Sequence, residues 1–342
     1  MERPSLDTAK AGAFRFNTDS SQLEIYDGNQ WAGIVATSAQ QQTGATRGLW
    51  AGGEIPGGRV NVIQFVNIDT TGNTVDFGDA SYTLSGHTAF SSRTRGLIMG
   101  GALGPQPTNY ANTIEFVTMS SQGNSVDFGD STTTLAQRAS LASSTRGVMI
   151  GGLLGGAQYN IMDYVTIAQT GNAVDFGDLS TASNGGHALS SPTRGILAGG
   201  YYGSPISAMT NIMAFITIST TGNSADFGDL TRTTRYPSTS ANAVRGVFAG
   251  GANPDRQKTI DFITIATLGD AVDFGNLSTP IGDYHQGAAS PTRGCFGGGN
   301  YGSLTDTIGY VQIMTKGDMF DFGNLLAANQ YCAGFSNGHG GL

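Results

Sequence analysis

Residues 95–101 read RGLIMGG, and residues 113–129 read TIEFVTMSSQGNSVDFG. The first stretch is an apolar run that ends in a double glycine, and the second alternates apolar and polar residues up to a Gly-Asn pair. Such runs, bounded by glycine, are typical of short β-strands, and Gly-Asn is typical of the turn between two strands. With the small-residue stretch 88–92 (TAFSS) in front, the segment predicts four antiparallel strands, with Val126 and Phe128 of the last strand on one face.

The same pattern occurs six times along the 342 residues, at spacings that alternate between 48 and 51. An Arg-Gly pair marks each copy, at Arg47, Arg95, Arg146, Arg194, Arg245 and Arg293. An Asp-Phe-Gly triplet follows in each copy, beginning at Asp76, Asp127, Asp175, Asp226, Asp273 and Asp321. No window shows a sustained helical period. The sequence therefore predicts an all-β fold, a six-bladed β-propeller with four antiparallel strands per blade.

The two ends of the repeated region predict how the ring closes. Residues 36–46 (ATSAQQQTGAT) lack the small-residue strand that precedes every later Arg-Gly pair. Residues 332–339 (CAGFSNGH) supply such a strand without an Arg-Gly pair after it. We expect this last strand to pair with Arg47–Gly53 and complete the first blade, because closure removes sheet edges that would otherwise aggregate.

Each copy resembles the kelch repeat in its order of features: small residues, a basic residue, an apolar strand, Gly-Gly, a variable loop and two aromatic strands. The resemblance covers residues 44–342 and implies a kelch-like propeller. The tryptophan that is common in the last kelch strand is replaced by phenylalanine in all six copies, at Phe77, Phe128, Phe176, Phe227, Phe274 and Phe322.

The N-terminal region reads as a separate small β-meander. Phe14 and Phe16, Leu23 and Ile25, and Trp31 mark three short strands, with turns at 17–21 and 27–28. The residue pattern from Gly12 to Trp31 resembles a module of phage tail fibres and other virion proteins, with phenylalanine at 16 where tyrosine is usual. We therefore predict an attachment or oligomerisation module at 1–35, a flexible linker at 36–46 and the propeller at 47–342.

Charge and composition exclude several functions. The net charge is −8, with 17 basic and 25 acidic residues, and clustered Lys and Arg are what nucleic-acid binding requires. Two cysteines, Cys295 and Cys332, make no disulfide framework, and we expect them to be buried and unbonded. No apolar stretch is long enough for membrane insertion, and the first residues contain no signal-peptide core.

The charged repeats and the histidines predict structure rather than chemistry. We expect each repeat arginine to pair with a repeat aspartate between strands, the alternative being a ring of aspartates that holds cations in the channel. His87, His187, His285 and His339 have no metal-ligand spacing and are interpreted as loop or turn residues. We predict no catalytic residue, no metal and no cofactor. An enzyme stays open as an alternative, but Glu54, Asp255, Asp283 and Asp306 come from four blades without an evident pair.

One end of the predicted propeller is constant and the other is variable. The Gly-Asn-type turns keep one length, whereas the loops after Gly-Gly are longer in the second and fourth copies. Variable loops on a rigid scaffold usually bind partners, and Tyr and Arg are frequent interface anchors. The candidate binding residues are Tyr110, Tyr201, Tyr202, Arg232, Arg235, Tyr236, Tyr284, His285 and Tyr301. The alternative is that these side chains only pack the loops.

These features favour a structural protein of a tailed-phage virion, a fibre or a head or tail appendage. We expect its loop face to bind a host-surface glycan or protein without catalysis, and its N-terminal module to contact other virion proteins. That resemblance implies a homo-oligomer, with a trimer favoured. It also implies a protein that is made in the host cytoplasm and incorporated into the virion. The alternative is a bacterial lectin-like or scaffold kelch propeller that binds glycans or proteins.

Overall fold

The computed structural model describes residues 10–17, 22–33, 46–103, 109–203, 208–282 and 287–342. The chain divides into two units, Met1–Gly44 and Ala45–Leu342. The regular structure of the described residues is β throughout, which confirms the all-β prediction. In the same residues no helix has the length and apolar character needed to cross a membrane.

The first unit contains the three strands that the sequence predicts. Phe14–Asn17, Gln22–Tyr26 and Trp31–Gly33 form one antiparallel sheet in that order. Arg15 makes an ion pair with Glu24 across the first two strands, and its guanidinium lies 4.1 Å from the centroid of the Trp31 ring. The predicted turn at 17–21 lies largely outside the described residues, and so does most of the predicted linker.

The second unit contains six sheets of at least four strands within its described residues, numbered here in chain order of their Arg-Gly strands. Sheet 1 consists of Ala333–Ser336, Arg47–Ala51, Val62–Asn67 and Val75–Asp79. Sheet 2 consists of Thr88–Ser91, Arg95–Met99, Thr113–Thr118 and Val126–Asp130. Sheet 3 consists of Ala139–Ala142, Arg146–Ile150, Ile161–Thr166 and Val174–Asp178.

The other three sheets repeat this order of strands. Sheet 4 consists of His187–Ser190, Arg194–Ala198, Ile212–Thr217 and Ala225–Asp229. Sheet 5 consists of Ser238–Ala241, Arg245–Ala249, Asp255–Thr264 and Val272–Ile281, with Ala252–Asn253 as a short fifth strand. Sheet 6 consists of Gly287–Ala289, Arg293–Gly297, Thr307–Gln312 and Phe320–Asn324.

Short two-residue strands lie in the connections between these sheets and within the loops after Gly-Gly. They are Glu54–Ile55, Gly58–Arg59, Leu84–Ser85, Ala102–Leu103, Leu153–Leu154, Ala157–Gln158, Ser183–Asn184, Tyr201–Tyr202 and Ala208–Met209. Pairs such as Ala102–Leu103 with Leu84–Ser85 join the loop of one sheet to the segment that enters it.

Sheet 1 joins the two ends of the second unit. Ala333 pairs with Ala51, and Ser336 pairs with Gly48, in antiparallel register. The pairing between the last strand and the first Arg-Gly strand is therefore present as predicted. Sheet 1 has four strands only because of this pairing, since its other three strands all come from the first copy of the repeat.

The hydrophobic core lies between neighbouring sheets. One cluster joins Leu49 and Phe77 of sheet 1 to Ile98 and Val117 of sheet 2. Equivalent clusters join sheets 2 and 3, 3 and 4, 4 and 5, and 5 and 6. A sixth cluster joins sheet 6 to sheet 1 and includes both cysteines, which are buried and unbonded as expected. Burial raises the pKa of each thiol to about 12.

The repeat arginines do not pair with the repeat aspartates, so that prediction is wrong. Arg146 Nη1 donates a hydrogen bond of 3.0 Å to the carbonyl of Ile218 in the following repeat, and its Cζ lies 4.3 Å from the centroid of the Tyr164 ring. The same bond to the following repeat is made by Arg47, Arg95, Arg194, Arg245 and Arg293. The last of these reaches Ile68 and so connects sheet 6 to sheet 1.

The repeat aspartates are exposed on the fourth strand of their sheets. Asp175, for example, precedes the buried Phe176, whose ring packs edge-on against Tyr164 at 5.9 Å. Because the fourth strand lies at the opposite edge of each sheet from the first strand, the aspartates are also separated from the cavity between the first strands. Their position gives no support to a cation site in that cavity.

The glycine of each Asp-Phe-Gly triplet allows a close approach between neighbouring repeats. Gly171, in the Gly-Asn turn of sheet 3, donates its N–H to the carbonyl of Phe128 in sheet 2, and Asn172 accepts from the N–H of Asp130. A Cβ on Gly129 would lie 2.5 Å from the carbonyl oxygen of Gly171. The sequence predicts the Gly-Asn turn only as a link between two strands of one sheet, whereas in the structure the turn also forms hydrogen bonds to the preceding sheet.

The fourth strand also departs from simple alternation. Val126 is 53% exposed and Phe128 is 2% exposed, although the sequence predicts both on one face. The pairing with the third strand shifts register between Ile114 and Glu115, so the ladder contains an irregularity at Phe128. A bulge of this kind rotates the side chains that follow it. The same shift occurs in the other five sheets.

The first strands of all six sheets line a cavity of about 60 Å³. Hydroxyl groups connect these strands: Ser190 Oγ donates to the carbonyl of Ala142, and Ser91 Oγ donates to the carbonyl of Ser336. His339 also lies here and is half-buried, with Nε2 bonded to the Ser91 carbonyl. Its Nδ1 accepts from the N–H of Gly341, and burial lowers its pKa to about 4.

We predict that Arg146→Ala lowers the free energy of unfolding by about 2 kcal/mol, because a charged hydrogen bond and a stacked guanidinium are both lost. Asp175→Ala is the matched control and is expected to change it by less than about 0.5 kcal/mol, because this carboxylate is exposed. Denaturant unfolding of the two variants measures both values. Equal losses would contradict the assignment of the arginine, and not the aspartate, to the contact between sheets.

Gly129→Ala is expected to cost about 3 kcal/mol or more, because a Cβ would meet the backbone of the neighbouring turn. Gly171→Ala is the control, since it has a similar φ (+154° against +145°) and nothing within 4 Å of its added Cβ. Its cost is expected to be about 1–2 kcal/mol from backbone strain alone. Thermal and denaturant unfolding give the difference, and similar losses would show that the close approach is unimportant.

Candidate binding face at the loop ends of the sheets

The two ends of the sheets differ in what they carry. At one end lie the Gly-Asn turns and the repeat arginines, whose contacts with the neighbouring repeat are described above. At the other end lie the loops after Gly-Gly and the segments that enter the first strands. The second end is called the loop face here, and the first is called the turn face. The predicted binding residues that the structure describes belong to segments at the loop face.

Among the described residues of the loop face, three have a left-handed backbone without being glycine. They are Gln137, Tyr236 and Tyr331, with φ of 55°, 53° and 58°. Each lies in the segment that enters a first strand, at the position that Gly86 and Gly185 occupy in other repeats. Left-handed backbone at bulky residues costs free energy and is concentrated at functional sites. This repeat position therefore keeps a left-handed backbone conformation although the residue at it varies between glycine, glutamine and tyrosine.

Hydrogen bonds join these entering segments to one another. The N–H of Gln137 donates to the carbonyl of Gly86, that of Gly185 to Gln137, and that of Tyr236 to Gly185. The Gln137 side chain adds two more links, since its Oε1 accepts from Asn184 Nδ2 at 2.6 Å and from the Tyr236 hydroxyl at 3.1 Å. Gln137 and Tyr236 therefore fix the centre of the loop face across three sheets.

Arg235 is held beside this centre by two aromatic rings. Its Nη1 donates to the hydroxyl of Tyr201 at 2.6 Å. Its Cζ lies 5.6 Å from the centroid of the Tyr201 ring and 5.5 Å from that of Tyr236. The two rings pack edge to face at 6.4 Å. A guanidinium held in this way loses little side-chain entropy when a ligand binds to it.

Arg235 also lines an open cleft of about 320 Å³ at the loop ends of sheets 5 and 6. The other lining residues that the structure describes are Ala252, Pro254, Asp255, Arg256, Pro280 and Tyr301. Tyr301 is 48% exposed, and Pro254, Asp255 and Pro280 are exposed as well. The volume lies at the lower end of the range for small-ligand sites. The cleft therefore offers two guanidinium groups, one carboxylate and an accessible aromatic ring.

The structure places the predicted binding residues in different surroundings. Tyr201, Arg235 and Tyr236 form one cluster, and Tyr301 lines the same cleft as Arg235. Tyr110 is half-buried in a bridge with Ala102, away from these contacts. Tyr202 is half-buried in its two-residue strand, and burial together with Asp226 raises its pKa to about 12. Tyr284 and His285 lie outside the described residues.

Arg232 is bonded inside the protein. Its Nη1 forms an ion pair of 2.6 Å with Asp261, whose side chain is fully buried, and its Nη2 donates to the carbonyls of Gly250 and Thr259 at 2.8 Å. Burial lowers the pKa of Arg232 and raises that of Asp261, and the pairing opposes both shifts. Arg138 and Asp163 form the equivalent buried pair in sheet 3. These contacts assign Arg232 to the core of sheet 5.

Sequence reasoning missed Arg256, Pro254 and Pro280 as cleft residues and Gln137 as a central one. Arg256 and Pro254 stand in a loop whose composition is already distinctive, NPDRQK at 253–258. The sequence does contain a signal for Gln137, because this glutamine occupies the repeat position at which Gly86 and Gly185 stand in other copies. Pro280 is brought to the cleft by the long strand Val272–Ile281, and the repeat pattern contains no sign of that extension.

The described residues contain no group of three or more His, Cys, Asp and Glu side chains arranged to hold a metal ion. His187 is the first residue of the strand His187–Ser190, so its interpretation as a loop or turn residue is wrong, whereas His87 is buried in the loop directly before the strand Thr88–Ser91. Burial lowers the pKa of His87 to about 3. Of the acidic candidates, Glu54 accepts hydrogen bonds from Arg59, Ser85 and Gln330, whereas Asp255 lines the cleft.

We predict that Arg232→Met lowers the free energy of unfolding by about 3–5 kcal/mol, because it leaves the buried Asp261 carboxylate without its partner. Arg235→Met is expected to cost no more than about 1 kcal/mol, since its guanidinium is bound at the surface of the loop face. Chemical denaturation distinguishes the two arginines. Recovery of stability in Arg232→Met with Asp261→Leu would confirm that the loss comes from the unpaired charge.

No protein-family model and no curated protein matches this chain. The resemblance of the repeats to kelch and of the N-terminal module to phage fibres therefore stays an expectation from sequence. What the chain binds has to be inferred from the loop face itself.

Proposed function

We propose that Ala45–Leu342 is a six-bladed propeller and that the protein is a non-catalytic binding component of a tailed-phage virion. Three sets of contacts support the propeller: shared cores, arginine bonds and Gly-Asn turns each lead from sheet 1 through sheet 6 and back to sheet 1. A propeller of this kind has short, protected sheet edges and is a rigid support for loops. The kelch-like character of the blades rests on the order of their sequence features.

The observation that carries the binding proposal is the fixed position of Arg235 at the loop face. The rings of Tyr201 and Tyr236 hold this side chain at the margin of a cleft, and Tyr301, which is exposed, lines the same cleft. Rigid aromatic and arginine anchors of this type are enriched where proteins bind their targets. The target that the proposal gives to this face is a glycan or protein on the surface of a host cell.

The N-terminal unit is proposed to attach the protein to other virion components and to make it oligomeric. Three strands alone form a small sheet of marginal stability, so packing against another surface is expected to stabilise it. Phe14 is 63% exposed in this sheet and supplies apolar area for such a contact. In a trimer, three propellers would bind one cell together and gain avidity.

A free-standing bacterial propeller that binds glycans or proteins is the second candidate function. It requires the same loop face but no assembly through the N-terminal unit. The two candidates therefore differ in oligomeric state rather than in the binding site.

Light scattering of the full chain, compared with a chain that starts at residue 46, tests the assembly. We expect the full chain to have three times the single-chain mass of 35.3 kDa and the shortened chain to be monomeric. If both the full chain and the shortened chain are monomeric, the basis for the virion proposal is removed and the bacterial alternative is favoured. Shortening the chain leaves the six sheets intact, because their strands begin at Arg47.

Binding of fluorescent protein to a panel of intact bacterial cells tests the loop face. Arg235→Ala with Tyr301→Ala is expected to reduce binding at least tenfold, whereas Lys316→Gln, on the turn face, is expected to leave it within twofold. Circular dichroism and thermal unfolding serve to confirm that the variants are folded. Equal loss in both variants, or no binding by the unchanged protein to any strain, would contradict the proposed role of this face.

A further inference from the structure

The cleft at the loop ends of sheets 5 and 6 has a chemistry that points to one class of ligand. Resting on the binding role proposed above, we infer that it recognises a saccharide bearing a carboxylate, such as a uronic acid residue. Three kinds of group line the cleft: the guanidinium groups of Arg235 and Arg256, the carboxylate of Asp255 and the ring of Tyr301. Each matches a different part of such a sugar.

The arginines select an anion. The chain as a whole carries a net charge of −8, so two guanidinium groups in one cleft are a local reversal of the general charge. A guanidinium binds a carboxylate through two parallel hydrogen bonds. Arg235 is already positioned by Tyr201 and Tyr236, so that little ordering is needed when a ligand enters.

Asp255 distinguishes a sugar acid from a simpler anion. Its exposed carboxylate only accepts hydrogen bonds and would repel a multiply charged phosphate. The hydroxyl groups of a sugar, in contrast, donate to a carboxylate and accept from a guanidinium. A ring with one carboxylate and several hydroxyl groups can therefore satisfy Asp255 and the two arginines together.

Tyr301, Pro254 and Pro280 complete the match. The tyrosine is 48% exposed, and its ring offers a flat apolar surface for the C–H face of a sugar. The two prolines are exposed and have restricted backbones, so they form firm walls.

An acidic peptide fits the cleft less well. Peptides commonly bind by adding a strand to an open sheet edge. Here the strand Asp255–Thr264 is paired on both sides, since Arg256 pairs with Ala252 and Gln257 pairs with Ile281. The described part of the cleft therefore presents side chains to a ligand, not a free backbone edge.

The test uses the full chain on an array of uronate-bearing oligosaccharides, each printed beside its methyl ester and its neutral parent sugar. The methyl ester removes the charge and keeps the ring. We expect at least one uronate oligosaccharide to bind at least tenfold more tightly than its ester and its parent. Titration calorimetry with that oligosaccharide then measures Kd for the variants.

Arg256→Gln and Tyr301→Ala are each expected to weaken this binding at least tenfold. Arg256→Lys keeps the charge but lacks the paired donors, so an intermediate loss is expected. Lys316→Gln removes the same charge from the turn face and should change Kd by less than twofold. If Arg256→Gln is unstable, Tyr301→Ala decides the matter, because its side chain is exposed and its loss does not affect the core.

Several results would overturn the inference. Equal binding of esters and acids, a preference for neutral sugars, or selective binding of acidic peptides would each exclude carboxylate-sugar recognition while the binding function stands. The same holds if the protein binds cells but no uronate on the array. Absence of binding to cells as well would contradict the proposed function itself, so the two failures are distinguishable.

Discussion

Each sheet of the second unit is stabilised by bonds to its neighbours, and this dependence governs most of the repeated sequence. A four-stranded sheet in this protein buries its apolar side chains only between two other sheets, so no sheet has a complete core alone. The repeat arginine reaches the backbone of the following repeat, and the Gly-Asn turn bonds to the preceding one. The contacts that a repeat makes with its two neighbours are consequently as important to its structure as the pairing of its own strands.

The periodic part of the fold is predictable because strands, turns and spacings are local properties. The strands at Arg95–Met99 and Thr113–Thr118 and the pairing of Ala333–Ser336 with Arg47–Ala51 agree with their sequence patterns. The partner of a repeated charge is not local. Arginine and aspartate at constant spacing suggest an ion pair, yet Arg146 bonds to a carbonyl 72 residues away, a group that no side-chain pattern displays.

The candidate site shows the same division. Tyr201, Arg235, Tyr236 and Tyr301 are found from loop variability and residue type, but the sequence does not separate Arg235 from Arg232, three residues earlier. One guanidinium is bound to a buried carboxylate and the other to a tyrosine hydroxyl. Arg232 is bonded inside the protein because the third strand of sheet 5 supplies a carboxylate, Asp261, as its partner. The corresponding position of sheet 4 is Ala214, so the repeat pattern does not predict this carboxylate.

The pairing of Ala333–Ser336 with Arg47–Ala51 has a consequence for folding on the ribosome. During synthesis the strand Arg47–Ala51 emerges early, but its partner is made only after nearly all the remaining residues of the unit. Until then sheet 1 has an open edge, and the cluster between sheets 1 and 2 lacks Ala333 and Phe335, which the last strand supplies. Such late, long-range pairing slows folding and leaves intermediates prone to association. A nascent chain of this protein is therefore expected to need protection by chaperones until its last strand is released.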